Sequence, residues 1–166
     1  MPTVLCLDRG SGRTRELVLS HSGYEVLHAD NVHHAAELFR SSTIDAVVLD
    51  AGLSLSTLSP FATVLKMARP GIPVLLVADI AEEVEYEGAT PIFDAVMSRL
   101  DGPEALLNRL HDLIAAAEQA SKAGVQAASV TINRTQELRD RMEQLREKMR
   151  KTRDLSRELR RLKPPA

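Results

Sequence analysis

The stretch Ile44-Asp45-Ala46-Val47-Val48-Leu49-Asp50 decides how the chain is read, because it is valine-rich and almost wholly apolar and stops on an acid. A continuous apolar run of this length marks a parallel strand buried on both faces, whereas a half-exposed strand alternates. In open α/β sheets, ligand and reaction sites lie just beyond the carboxyl ends of such strands. Asp50 stands at that end and is the first candidate for chemistry.

Toward the N-terminus, Thr3-Val4-Leu5-Cys6-Leu7 reads as a first strand ending at Asp8. Arg9-Gly10-Ser11-Gly12-Arg13-Thr14 then turns into a helix from about Thr14 to His21, closed by Gly23 as glycine closes helices. Tyr24 to Ala29 is a second strand. Asp30 or Asn31 caps a helix reaching about Arg40, with Val32, Ala35, Ala36 and Phe39 at helical spacing. Toward the C-terminus, Pro60 is expected to open a helix carrying Phe61, Val64, Leu65 and Ala68, stopped by Pro70-Gly71. Pro73 to Val77 and Phe93 to Met97 are the fourth and fifth strands, with a short acidic helix expected between them over Ala81 to Glu87. Asp101-Gly102-Pro103-Glu104 starts a strong helix through Leu106, Leu107, Leu110, Leu113 and Ile114.

Strands alternating with helices imply a parallel sheet covered on both faces, and right-handed crossovers narrow its topology. The expected fold is α/β: a flavodoxin-like, doubly wound, five-stranded sheet of order 2-1-3-4-5, followed by a long C-terminal helix. That order sets strands 1 and 3 side by side, so Asp8 and Asp50 meet at one sheet edge.

Composition narrows the class. An apolar fraction of 44% supports a real core, which three Phe, two Tyr and no Trp make mainly aliphatic. Cys6, the only cysteine, excludes an intrachain disulfide and reads as a small core residue. No signal peptide and no membrane-spanning run is visible, which predicts a soluble, cytoplasmic protein. Charge divides the chain: residues 1–129 hold 9 Lys+Arg against 17 Asp+Glu, a net −8, and residues 130–166 hold 12 against 6, a net +6. A folded acidic domain with a basic extension follows.

The order of strands, the acid after strand 1 and the acid after strand 3 make residues 1–117 resemble the receiver (CheY-like) domain of bacterial two-component response regulators. The resemblance rests on Val4-Leu5-Cys6-Leu7-Asp8, Ser22-Gly23-Tyr24-Glu25-Val26, Ile44 to Asp50, and Ile72-Pro73-Val74-Leu75. It implies a signalling role in a phosphorelay rather than a metabolic enzyme. By resemblance Asp50 is the phosphoacceptor, a histidine kinase is the donor, Asp8 belongs to the acidic pocket, and Mg²⁺ is bound by Asp8 and Asp50. Five positions depart from the family pattern. Arg9 stands where a second acid ligates the metal, and a fixed cation there should repel Mg²⁺. Ala78 replaces a phosphate-binding hydroxyl. Ser98-Arg99 replaces a Lys-Pro pair, with Arg99 one residue late. Ala95 aligns with the aromatic switch, for which Phe93 is a stand-in on the same strand face. Phosphoryl transfer depends on positioning and charge stabilisation, so these losses predict a degenerate receiver acting without phosphate. The alternative is a working phosphoacceptor. For Arg9 there are two readings: it pairs with Asp50 and fixes one state, or it points to solvent.

Other motifs carry less. Gly10-Ser11-Gly12-Arg13-Thr14 lacks the first glycine and the lysine of a Walker loop, and Arg15 replaces the third glycine of a dinucleotide fingerprint. His33 and His34 are adjacent, face different ways on a helix and read as surface residues. The Glu82, Glu83, Glu85, Glu87 run reads as a solvated face.

Residues 118–130 are expected to be a linker or a helical continuation, and residues 131–163 a basic coiled-coil helix. From Thr131 to Lys163 there is no Gly or Pro. Leu138, Met142, Leu145 and Met149 follow the spacing of a coiled-coil seam, and the register then slips to Leu155, Leu159 and Leu162. Glu143–Arg146, Glu147–Arg150 and Glu158–Arg161 are i, i+3 pairs that support the helix, which Pro164-Pro165 ends. A homodimer through this seam is the expected partner arrangement, with docking in cis or on another protein's helix as alternatives. DNA contact is disfavoured because acids are interleaved with the arginines.

Overall fold

Strands that are apolar at every position need cover on both faces, and the sheet supplies it. The computed structural model describes residues 1–10, 13–79 and 92–161, with side chains described for these except at 129–133, 152 and 154–161. The elements follow in the order β1 (Thr3–Leu7), α1 (Arg13–His21), β2 (Glu25–Ala29), α2 (Val32–Ser41), β3 (Ala46–Asp50), α3 (Leu55–Ala68), β4 (Val74–Ala78), β5 (Ala95–Ser98) and α4 (Gly102–Arg161). The five strands are parallel and ordered β2-β1-β3-β4-β5, as expected from the sequence. The expected helix over Ala81 to Glu87, its glutamate run, the turn residues Ser11 and Gly12, the side chains of Leu155 and Leu159, and Leu162 with Pro164-Pro165 lie outside the described residues.

Period-two alternation sorts the strand side chains onto two cores. Leu5, Leu7, Val47, Leu49 and Leu76 pack beneath α2 and α3 with Phe39, Leu58, Phe61 and Leu65. Val4, Cys6, Ala46, Val48, Val77 and Met97 point the other way, against Leu19 of α1 and Leu106 and Leu110 of α4. Burial pushes the Cys6 thiol up to about 12, so it stays protonated as a core residue. Two acids at the opposite sheet edge are structural. Asp45 Oδ2 accepts from the Thr3 amide at 2.7 Å, and Asp94 Oδ2 accepts from the Val74 amide at 2.7 Å while pairing with Lys66.

Asn31 is the residue that caps α2: its Oδ1 accepts from the His34 amide at 2.9 Å. Asn31→Ala should therefore lower stability by about 1 kcal/mol in urea denaturation. Two boundaries differ from expectation. Helix α3 begins at Leu55 rather than Pro60, because Leu58 and Phe61 are both drawn into the core and the preceding turn follows them. Pro60 then sits in the second turn, where it forfeits the bond to the carbonyl four residues back. Strand β5 begins at Ala95, and the bend before it breaks the alternation. Phe93 packs with the α2/α3 core while Ala95 faces the α1/α4 core, so the two do not share a strand face.

The chain divides into two compact units, Met1–Ser121 and Lys122–Ala166. Residues 118–130 are helical, within α4. In the second unit Leu138, Met142, Leu145 and Met149 are all exposed. Arg150 Nη2 lies 3.3 Å from Glu147 Oε1, one of the expected i, i+3 pairs.

Candidate functional site

Strand parity builds the site. Asp8 and Asp50 continue the even-numbered positions that face α1 and α4, and the pairing of Leu7 with Leu49 sets them side by side at the carboxyl edge. Both are buried, at 0% and 1% exposure. Each must therefore find partners inside the protein.

Asp50 has three donors. The Gly52 amide donates to Oδ1 at 2.9 Å, Arg99 Nη2 donates to the same oxygen at 2.5 Å, and Arg15 Nη2 donates to Oδ2 at 2.9 Å. A Cβ at position 52 would lie 3.1 Å from Asp50 Oδ1 and 3.3 Å from Arg99 Nη2, tighter than ordinary contact, so glycine is what lets this backbone approach the carboxylate. Burial pushes the Asp50 carboxyl up. The Gly52 hydrogen bond, the Arg15 hydrogen bond and charge, and the Arg99 charge outweigh it, and the net direction is down. Asp50 is a buried carboxylate held between two guanidiniums.

Asp8 is fixed by its own turn. Its Oδ1 accepts from the Gly10 amide at 2.8 Å, with Gly10 at φ +92° in the left-handed region that favours glycine. His28 Nε2, on the neighbouring strand, lies 3.3 Å from the same oxygen.

The departures from the family pattern now have positions. Arg9 is exposed and is not a partner of Asp50; the cations on that carboxylate come from Arg15 and Arg99. Ala78 pairs in register with Ser98 and brings no hydroxyl to the edge. Ser98 is a cap: its Oγ accepts from the Leu100 amide, and Asp101 accepts from the Ser98 amide. The 3-10 turn Arg99–Asp101 that this box closes carries Arg99 over the edge, where Nη1 also reaches Asp79 Oδ1 at 3.3 Å. Phe93 is a core side chain, 4% exposed. His33 and His34 are surface residues, paired with Glu37 and Asp30 of their own segment.

Sequence reasoning missed Arg15 and His28. The signal for Arg15 was present. Two arginines, Arg13 and Arg15, fall in the first turn of α1, where the helix dipole disfavours cations unless an acid receives them.

A magnesium ion wants about six oxygen ligands in a rigid shell. Arg9 contributes none, both Asp50 oxygens face guanidiniums, and no group of three or more His, Cys, Asp or Glu disposed to hold a metal occurs among the described residues. Arg15 and Arg99 thus engage the oxygens that a Mg²⁺ ion would need at Asp50. Nor is any helix of the described residues long and apolar enough to cross a membrane.

No protein-family model matches the chain, and no curated protein sequence matches it. Solved structures do. A response regulator receiver domain from Clostridium thermocellum superposes with a TM-score of 0.65 at 15% identity, covering 72% of this chain and 99% of that one. A CheY-like receiver domain protein from Methanospirillum hungatei JF-1 gives 0.62 at 18%, covering 72% and 98%. A protein described as adenylate cyclase from Rhodopirellula baltica gives 0.65 at 11%, covering 72% and 92%. At these identities the likeness is one of fold, and the fold is that of a receiver domain.

Proposed function

We propose that the chain is a cytoplasmic signalling module of receiver fold that works without phosphorylation and without Mg²⁺, and that acts through protein–protein contact at its C-terminal helix. The observation that carries this reading is the pair of guanidiniums on Asp50. An acceptor aspartate attacks phosphorus with an oxygen lone pair, in line with the leaving group. Here Oδ2 is engaged by Arg15, and Oδ1 by Arg99 and Gly52. The same contacts give the carboxylate the charge partners that a metal and a lysine would otherwise provide, so the fold holds one state without an incoming phosphate. Ala78 removes the hydroxyl that would read a phosphoryl group if one arrived. Output then falls to Leu138, Met142, Leu145 and Met149, exposed along one seam and suited to a parallel homodimer.

One observation favours a second reading, in which a histidine kinase phosphorylates Asp50. Arg15 and Arg99 are cations beside the acceptor and could stabilise transferred charge in place of the metal. Acetyl phosphate labelling separates the two. Incubation with and without Mg²⁺, followed by intact mass measurement, should leave the protein unmodified in both arms. Mg²⁺-dependent gain of a phosphoryl group, mapped to Asp50 and lost in Asp50→Asn, would overturn the first reading. Labelling that is independent of Mg²⁺ would establish the second.

A further inference from the structure

On the α1/α4 side of the sheet, directly over Asp50, lies a cavity of about 280 Å³. Its walls are apolar: Val18 from α1, Val77 from β4, Met97 from β5, and Pro103 and Leu106 from the start of α4. Its polar end is formed by Arg15, Asp50 and Arg99. The cavity lies within the first compact unit.

Of the charged side chains that line the cavity two are guanidiniums and one is a carboxylate, with Asp8 buried beside Asp50 but outside the lining. Two guanidiniums share one buried carboxylate, because the other acid on Arg99, Asp79, has its side chain 59% exposed and is screened by water. Arg15 is also underused. Its Nη2 serves Asp50, while its Nη1 is buried with no hydrogen-bond acceptor among the described residues. A buried donor left without an acceptor is a standing penalty that a second oxygen would remove after a small turn of the guanidinium. Carboxylate geometry suits this, since a guanidinium offers paired donors in a planar fork. The apolar walls call for an apolar body behind that carboxylate. The volume sits just under the roughly 300–1,000 Å³ of drug-sized ligand sites, which suits a small molecule. A bare inorganic anion would leave the walls in contact with water.

We propose that this cavity binds a small monocarboxylate with an apolar body, its carboxylate against Arg15 and Arg99 and its body between α1 and α4. The binding needs no covalent chemistry at Asp50. That the ligand serves as the module's input in place of phosphate rests on the reading above; the binding itself does not.

Benzoate is a suitable probe, titrated into the full chain by calorimetry beside benzamide and inorganic phosphate. Benzoate should bind at least about tenfold more tightly than either, since benzamide lacks the charge and phosphate lacks the body. Val18→Phe, at a half-buried position on α1, should fill the cavity and abolish benzoate binding while circular dichroism shows the fold intact. Arg99→Gln should weaken benzoate by about tenfold or more and leave benzamide unchanged. Equal affinity for benzoate and benzamide, equal affinity for phosphate, benzoate binding that survives Val18→Phe, or no benzoate heat at all would each overturn the proposal. Acetyl phosphate labelling reports separately on Asp50, so failure of one reading does not imply failure of the other.

Discussion

Asp50→Asn is expected to destabilise the protein by about 3–5 kcal/mol, because removing one partner of a buried ion pair leaves uncompensated charge behind. The substitution keeps the volume and removes the charge, so the loss reports electrostatics rather than packing. Arg15 should account for most of it: its side chain is only 13% exposed, whereas Arg99 is 34% exposed and already touches Asp79. The expected value therefore sits at the low end of that range. The sign is the discriminating feature. In a pocket where acids face one another without cations, the same change relieves repulsion between Asp8 and Asp50 and stabilises the fold. Acid titration adds a second test. The folded-state carboxyl of Asp50 lies below its ordinary value of 3.8, so the unfolded chain binds the proton more readily. Its contribution to stability is fully present above about pH 4 and is lost as pH falls through the lowered folded value. Urea denaturation across this range should show wild type losing its advantage over Asp50→Asn in acid. A variant as stable as wild type at neutral pH would remove the two-guanidinium account of the site.

The fold was legible because each core strand is apolar at consecutive positions, from Val4-Leu5-Cys6-Leu7 to Val74-Leu75-Leu76-Val77, and only a sheet covered on both faces accommodates that. Local punctuation was less reliable. Pro60 looked like a helix start, yet the burial of Leu58 and Phe61 outweighed the lost hydrogen bond and put the start at Leu55. Asp8 and Asp50 were legible as a pair because the strand order alone makes β1 and β3 neighbours. Their partners required side-chain direction. Arg9 follows Asp8 by one residue, and adjacent positions at a strand end diverge, so it is exposed while Asp8 is buried. Arg99 seemed one residue late against a family lysine. It nevertheless shares the parity of Met97, which faces α1 and α4 as Asp50 does, and the turn closed by Ser98 and Asp101 brings it over. Arg15 comes from a helix 35 positions away in sequence, a pairing that no local spacing encodes.

Met142→Glu with Leu145→Glu should weaken self-association by roughly a hundred- to ten-thousandfold while leaving the unfolding of the first compact unit, Met1–Ser121, unchanged. Each apolar side chain fully buried in a seam contributes about 1.5–3 kcal/mol, and a symmetric dimer buries both copies. Replacing them with glutamate forfeits that burial and sets like charges across the seam; at 1.4 kcal/mol per decade of Kd even part of the loss is large. In the single chain both residues are 55% exposed, and neighbouring charges such as Glu147 and Arg150 keep the helix solvated. Surface changes of this kind move monomer stability by about 0.5 kcal/mol or less. Sedimentation velocity over a range of concentrations reads the association, and thermal unfolding reads the domain. Wild type that stays monomeric at every concentration would remove the homodimer and leave a foreign helix or the chain's own domain as the seam's occupant. The two are then told apart by unfolding: a seam docked in cis would make the double substitution destabilise the first compact unit, whereas a seam awaiting another protein would leave that transition where it was.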